Sequence, residues 1–211
     1  MRPIILSFAI LFLILSFPLN KADASLDIGL SIGDEGIRGF YLAVGDYYRI
    51  PYRDVVVIKE RGIPHYEIPV VLFIAQKVKV APAIIIDMRL RNRTWMDIML
   101  HFGLSPEILY VPVKGVYGPP YGKAYGYYKN KPRKEWKKIV LDDNDVVNLV
   151  NLKFISSHYK HSPEDIIEMR AKGKDFTEIN EHIKKGKKDN LKGPKESMEK
   201  DIKKDEIKGK D

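Results

Sequence analysis

The chain contains an internal repeat. Sliding the sequence by 81 residues aligns Val71–His101 with Leu152–His182 without a gap. The identical pairs are Phe73/Phe154, Ile74/Ile155, Lys79/Lys160, Pro82/Pro163, Ile85/Ile166, Ile86/Ile167, Met88/Met169, Arg89/Arg170, Ile98/Ile179 and His101/His182. Ordinary residue usage would give roughly 2 matches over such a stretch. Asp87/Glu168, Arg91/Lys172, Trp95/Phe176 and Asp97/Glu178 are conservative pairs. One structural unit written twice is the direct reading.

Each copy reads as three helices. The first is the apolar run Val70–Val78, matched in copy two by Asp145–Tyr159. In copy two the acids of Asp142-Asp143-Asn144-Asp145 sit at the start, where the helix dipole favours them. The second helix opens on Pro82 or Pro163, a residue suited to the first helical position. Ser162 is a proper cap there and Ala81 is not. Asn92 and Gly173 close it, since both tolerate a left-handed cap. The third helix begins Thr94-Trp95-Met96-Asp97 or Asp175-Phe176-Thr177-Glu178, close to a capping box in each case. The predicted fold class is therefore mainly α. Two helix-turn-helix-like units occupy 70–110 and 139–183, joined by a Pro/Gly/Tyr/Lys-rich bridge over 111–138.

The region 25–69 is less regular. Ser25–Ile32 and Phe40–Tyr48 are candidates for short strands. Val55–Gly62 resembles Ile166–Gly173, a weaker third copy. Its β-branched run argues for a strand, but Pro51, Asp54 and Gly62 stand where helix start and stop signals belong, which favours a helix.

The first 24 residues have the layout of a secretory signal peptide: Arg2, an apolar run, then Ala22 and Ala24 before Ser25. The apolar run is shorter than the ~20 residues of a spanning helix, and Pro18 interrupts it. The expected mature chain starts at Ser25, carries no spanning helix and is exported to the periplasm, cell surface or medium. With no Cys, disulfides, thiolate metal sites and thiol catalysis are excluded.

Lys and Arg number 36 against 28 acids, a formal charge of +8, but the charge is unevenly placed. The leader holds +1 from Arg2, Lys21 and Asp23. The stretch 184–211, read as a disordered tail, has eleven Lys against seven acids, or +4. The bridge has seven Lys and Arg133 against Glu135 alone, or +7. Taken from the total, these leave −4 for the remainder. The body is mildly acidic, and the bridge and tail are basic.

Few residues announce chemistry. The third helices lack the Arg, Asn or Gln trio that reads base edges, and export leads away from the chromosome, so nucleic acid is disfavoured as a partner. Arg89 and Arg170 recur in step with Asp97 and Glu178. An anion site is one reading of them; a structural clasp from the second helix to the third is the one expected. The five His show no metal spacing, and the acidic run at Asp142 lacks the alternation of a calcium loop. No nucleophile elbow or phosphate-binding loop occurs, so neither a catalytic residue nor a cofactor is expected.

The bridge is the distinctive segment. Tyr117, Tyr121, Tyr125, Tyr127 and Tyr128 alternate with Gly and stand beside Lys123, Lys129, Arg133 and Trp136. Such rings stack on sugars or bases or dock a peptide. Alternatively they pack on the helices and tie the copies together.

The segments FYLAVGDYYRIP, EIPVVLFIA, WMDIMLHFGLSPEILYVPV, GPPYGKAYGYYK and VVNLVNLKFIS together resemble an uncharacterised family of exported bacterial proteins. The resemblance spans about 40–183. It implies a bacterial source and export, and it brings no catalytic residue. The expected function is a non-catalytic binding or structural module of the cell envelope, with an envelope protein or an anionic envelope polymer as partner. The alternatives are an envelope hydrolase and an exported nucleic-acid binder.

Overall fold

Two stretches of the chain are apolar nearly all the way round, and they become the central helices. In the computed structural model, which describes residues 34–187 except Val116, all regular structure is helical. In chain order the helices are α1 (Asp34–Tyr48), α2 (Tyr52–Glu60), α3 (Ile68–Val78), α4 (Pro82–Leu90), α5 (Trp95–His101), α6 (Gly122–Asn130), α7 (Asp143–Tyr159) and α8 (Pro163–Ala171). Residues 176–187 form α9. Short 3-10 turns cover His65–Glu67, Pro106–Leu109 and Arg133–Lys138. Every residue of Ile68–Ala75 in α3 and of Asp145–Leu152 in α7 is buried. A helix without a polar face needs neighbours on every side. Accordingly α3 and α7 pack on each other, with α1, α5 and α8 around α7 and α1, α2 and α4 around α3.

Three hairpins share one plan. α1–α2, α3–α4 and α7–α8 each join a longer helix to a nine-residue helix. The first turn pivots on a left-handed residue: Arg49, Lys79 or Lys160, with φ of 58°, 58° and 50°. The short helix is followed by a second left-handed residue: Gly62, Asn92 or Gly173. The spacing from the first to the second is the same in all three. The Val55–Ile58 run is helical, as its start and stop signals indicate. At the first hairpin Gly45 has no freedom to change: a Cβ there would lie 2.9 Å from the Ile50 carbonyl oxygen.

The caps follow the sequence closely. Asp142 and Asp145 form a full capping box on α7. Thr94 accepts from the Asp97 amide at 3.0 Å, and Ser162 accepts from Asp165 at 3.4 Å. Asp175 and Glu178 exchange two bonds of 2.8 Å. Ala81 caps nothing.

Three expectations are corrected. Phe40–Tyr48 is not a strand but the second half of α1. Phe40, Val44 and Tyr48 fall four residues apart and are all buried, so helical spacing overrides the β-propensity of Tyr and Val. The tail does not begin at Lys184, because α9 continues to residue 187. The arginine clasp is built otherwise. Arg89 binds Glu67 through two bonds, Nε to Oε2 at 3.0 Å and Nη2 to Oε1 at 2.8 Å. Its Nη1 donates to Asp143 Oδ2 at 2.6 Å and to the Arg93 carbonyl at 3.1 Å. It therefore reaches back to the turn before α3 and across to α7, not forward to Asp97. Arg170 does not bind Glu178 either: its Nη1 donates to the Lys174 carbonyl, and Glu178 accepts from the Asp175 amide. Each guanidinium instead lies 4.7 Å from the ring centroid of Trp95 or Phe176. The leader with Ala22, Ala24 and Ser25, the segment Ser25–Ile32 and the tail from 188 onward lie outside the described residues.

Candidate functional site

The bridge folds into an aromatic layer, and its sequence explains how. Gly122 opens α6 under the carbonyl of Tyr117; a Cβ would stand 2.4 Å from that oxygen. Only glycine lets the loop close so tightly. Once α6 is placed, Tyr121 and Tyr128 point into the protein and are buried. Tyr121 donates to the Asn148 carbonyl of α7 at 3.3 Å, and Tyr128 donates to the Pro106 carbonyl at 2.7 Å. These two rings anchor the bridge to the body.

The other rings form a cleft. Tyr125 donates to the Val111 carbonyl at 2.9 Å, and Tyr117 donates to the Lys114 carbonyl. Trp136 Nε1 donates to the carbonyls of Tyr128 and Lys131, both at 3.0 Å. Tyr110 lies 4.6 Å from Trp136 and 5.2 Å from Tyr128, centroid to centroid. Tyr117 lies 6.0 Å from Tyr125. The space these rings enclose is about 340 Å³, with Gly115, Gly122 and Gly126 in its wall and Lys129 at its edge. Arg133 sits over the outer face of the layer, 5.4 Å from the Trp136 centroid. Lys129 and Arg133 are exposed.

Electrostatics keep the phenols neutral. Burial pushes the Tyr121, Tyr125 and Tyr128 hydroxyls well above their ordinary pKa, and neighbouring tyrosines add to it at Tyr125. All three remain hydrogen-bond donors at neutral pH. Lys123 does not face the cleft. It pairs with Asp142 at 2.7 Å and lies 3.8 Å from Asp145, and these acids raise its pKa, the Asp142 hydrogen bond most. It staples α6 to the start of α7.

The predicted site residues thus divide. Tyr117, Tyr125, Tyr128, Lys129 and Trp136 come together around one space. Tyr121 and Lys123 hold the bridge in place, Tyr127 is half-buried beside the layer, and Arg133 covers it from outside. Sequence reasoning missed Tyr110 and Val113, which also line the cleft. Tyr110 directly precedes the bridge, and that adjacency was the available signal. Among the described residues no group of His, Asp and Glu is arranged to hold a metal, and no helix is long and apolar enough to cross a membrane. Compared with known proteins, the chain matches no family model, no curated protein and no solved structure.

Proposed function

We propose that this chain is an exported, non-catalytic binding module of the bacterial cell envelope, and that its ligand site is the aromatic cleft of the bridge. The proposed ligand is an anionic envelope polymer with ring-shaped units. The observation that carries this reading is the pairing of a ring-lined space of about 340 Å³ with a basic rim. Sugar rings stack on Tyr and Trp faces. Lys129 and Arg133 supply exposed charge where a chain would leave the cleft. Export rests on the leader-like residues 1–24. The 81-residue offset, with its shared pivots and paired arginines, supports an origin by duplication of a tri-helical unit. In this reading the body is a rigid mount and the bridge is the working part.

Retention on immobilised polygalacturonate, with neutral dextran as control, tests it. The protein should bind the acidic polymer, elute as salt rises, and pass through dextran. Passage through both columns would overturn the reading.

A further inference from the structure

The two paired arginines adopt the same pose but do not have the same partners. Arg89 and Arg170 each stack on an aromatic ring at 4.7 Å. Each donates Nη1 to the carbonyl four residues on, Arg93 at 3.1 Å and Lys174 at 2.5 Å. On Arg89, the remaining edge is filled by the carboxylate of Glu67. Adding 81 to Glu67 gives Asn148, a neutral residue. The matching edge of Arg170 lacks a carboxylate: its Nε is buried and has no hydrogen-bond partner among the described residues.

Arg170 borders a space. A cavity of about 280 Å³ is lined by Arg170 and Asn148, with Asn144, His65, Tyr66 and Phe176 around them. Asn148 is only 6% exposed and lines the same cavity. The buried Arg170 Nε is costly to leave without a partner unless something in the cavity supplies one. Asp175 also lines the cavity, but its Oδ1 accepts three bonds from Thr177 and Glu178, so its charge serves the start of α9.

We infer that this cavity is a carboxylate-binding site, in which Arg170 takes an external carboxylate as Arg89 takes Glu67, and Asn148 donates its amide to the same ligand. The planar, two-pronged guanidinium edge selects a carboxylate by shape. The volume admits a small acid or the carboxyl end of a peptide, with Tyr66 and Phe176 as apolar walls. The site is separate from the aromatic cleft, and the failure of either reading leaves the other standing.

Calorimetric titration of the whole protein with acetate and with N-acetylalanine tests this, using N-acetylalanine amide and sodium sulfate at matched ionic strength as controls. Both acids should bind, and the amide should not. Tighter binding of N-acetylalanine than of acetate would identify a peptide end as the better source, and the reverse a free small acid; both support the site. Asn148→Glu supplies the carboxylate internally, so it should raise Tm and weaken acid binding by ~10-fold or more. Arg170→Lys keeps the charge but loses the two-pronged edge, and should weaken binding similarly. The inference is overturned if neither acid binds, if sulfate binds as tightly, or if both variants bind like the parent protein.

Discussion

Arg89 shows how one side chain sets the geometry of a whole region. It joins the turn before α3, the start of α7 and the Trp95 ring at the head of α5. The Glu67 side chain is 9% exposed and that of Arg89 is 20% exposed, so the pair is largely shielded from solvent. Burial opposes the Arg89 charge, yet hydrogen bonds to Glu67 and Asp143 outweigh it and raise the pKa. Removing the arginine strands the buried Glu67, while Asp143 keeps the Trp95 amide. Arg89→Ala should cost about 3 kcal/mol, read as a lower denaturation midpoint with an unchanged slope. A change at Asp97, the partner expected from sequence, should leave this network intact. The histidines set a pH response. Burial lowers the pKa of His65, against the pull of Asp175 and alongside the push of Lys59. His158 is lowered by burial too, with Asp46 opposing and Lys187 assisting. A base held below its unfolded pKa binds fewer protons in the folded state, so stability is lost as pH falls through the ordinary His value. Tm should therefore decline as pH falls below about 7. His158→Gln should flatten part of that decline.

At the scale of elements, caps and close approaches decide the outcome. Asp142→Ala removes the capping box from α7 and frees Lys123 from its nearest acid. The expected loss is about 1–2 kcal/mol, measurable by urea unfolding. Gly122→Ala forces the Tyr117 carbonyl away from α6. That strain should cost about 1–3 kcal/mol and shift the Trp136 emission, because the cleft wall moves. Much at this scale was legible in the sequence. Proline, Ser, Thr and Asp at helix starts, and Asn or Gly at helix ends, are local signals, and they marked most of the boundaries. What was not legible depended on contacts across the chain. Phe40–Tyr48 looks like a strand until its buried faces are known. The acid for Arg89 lies 22 residues back in Glu67 and 54 ahead in Asp143, distances that no helical spacing indicates. The bridge rings were identifiable as a group, but which ones anchor and which ones line the cleft follows only from the closure at Gly122.

For the molecule as a whole, charge and architecture separate the tasks. The mildly acidic body is built from hairpins that share a plan, with α3 and α7 buried at its centre. The +7 of the bridge is laid over that body beside the aromatic layer. This arrangement presents a basic, ring-bearing surface without making the body basic. Attraction to an acidic chain should therefore fall steeply as salt rises and weaken in variants that lose the bridge charge. Ligand binding in the cleft is read from the emission of Trp136 during titration with polygalacturonate. Trp95 is fully buried, so a change reports the cleft. The expected result is a saturable change that is absent with dextran, reversed by about 0.5 M salt, and lost in Tyr117→Ala with Lys129→Ala. Emission that stays constant, or that changes equally in that double variant, would contradict it.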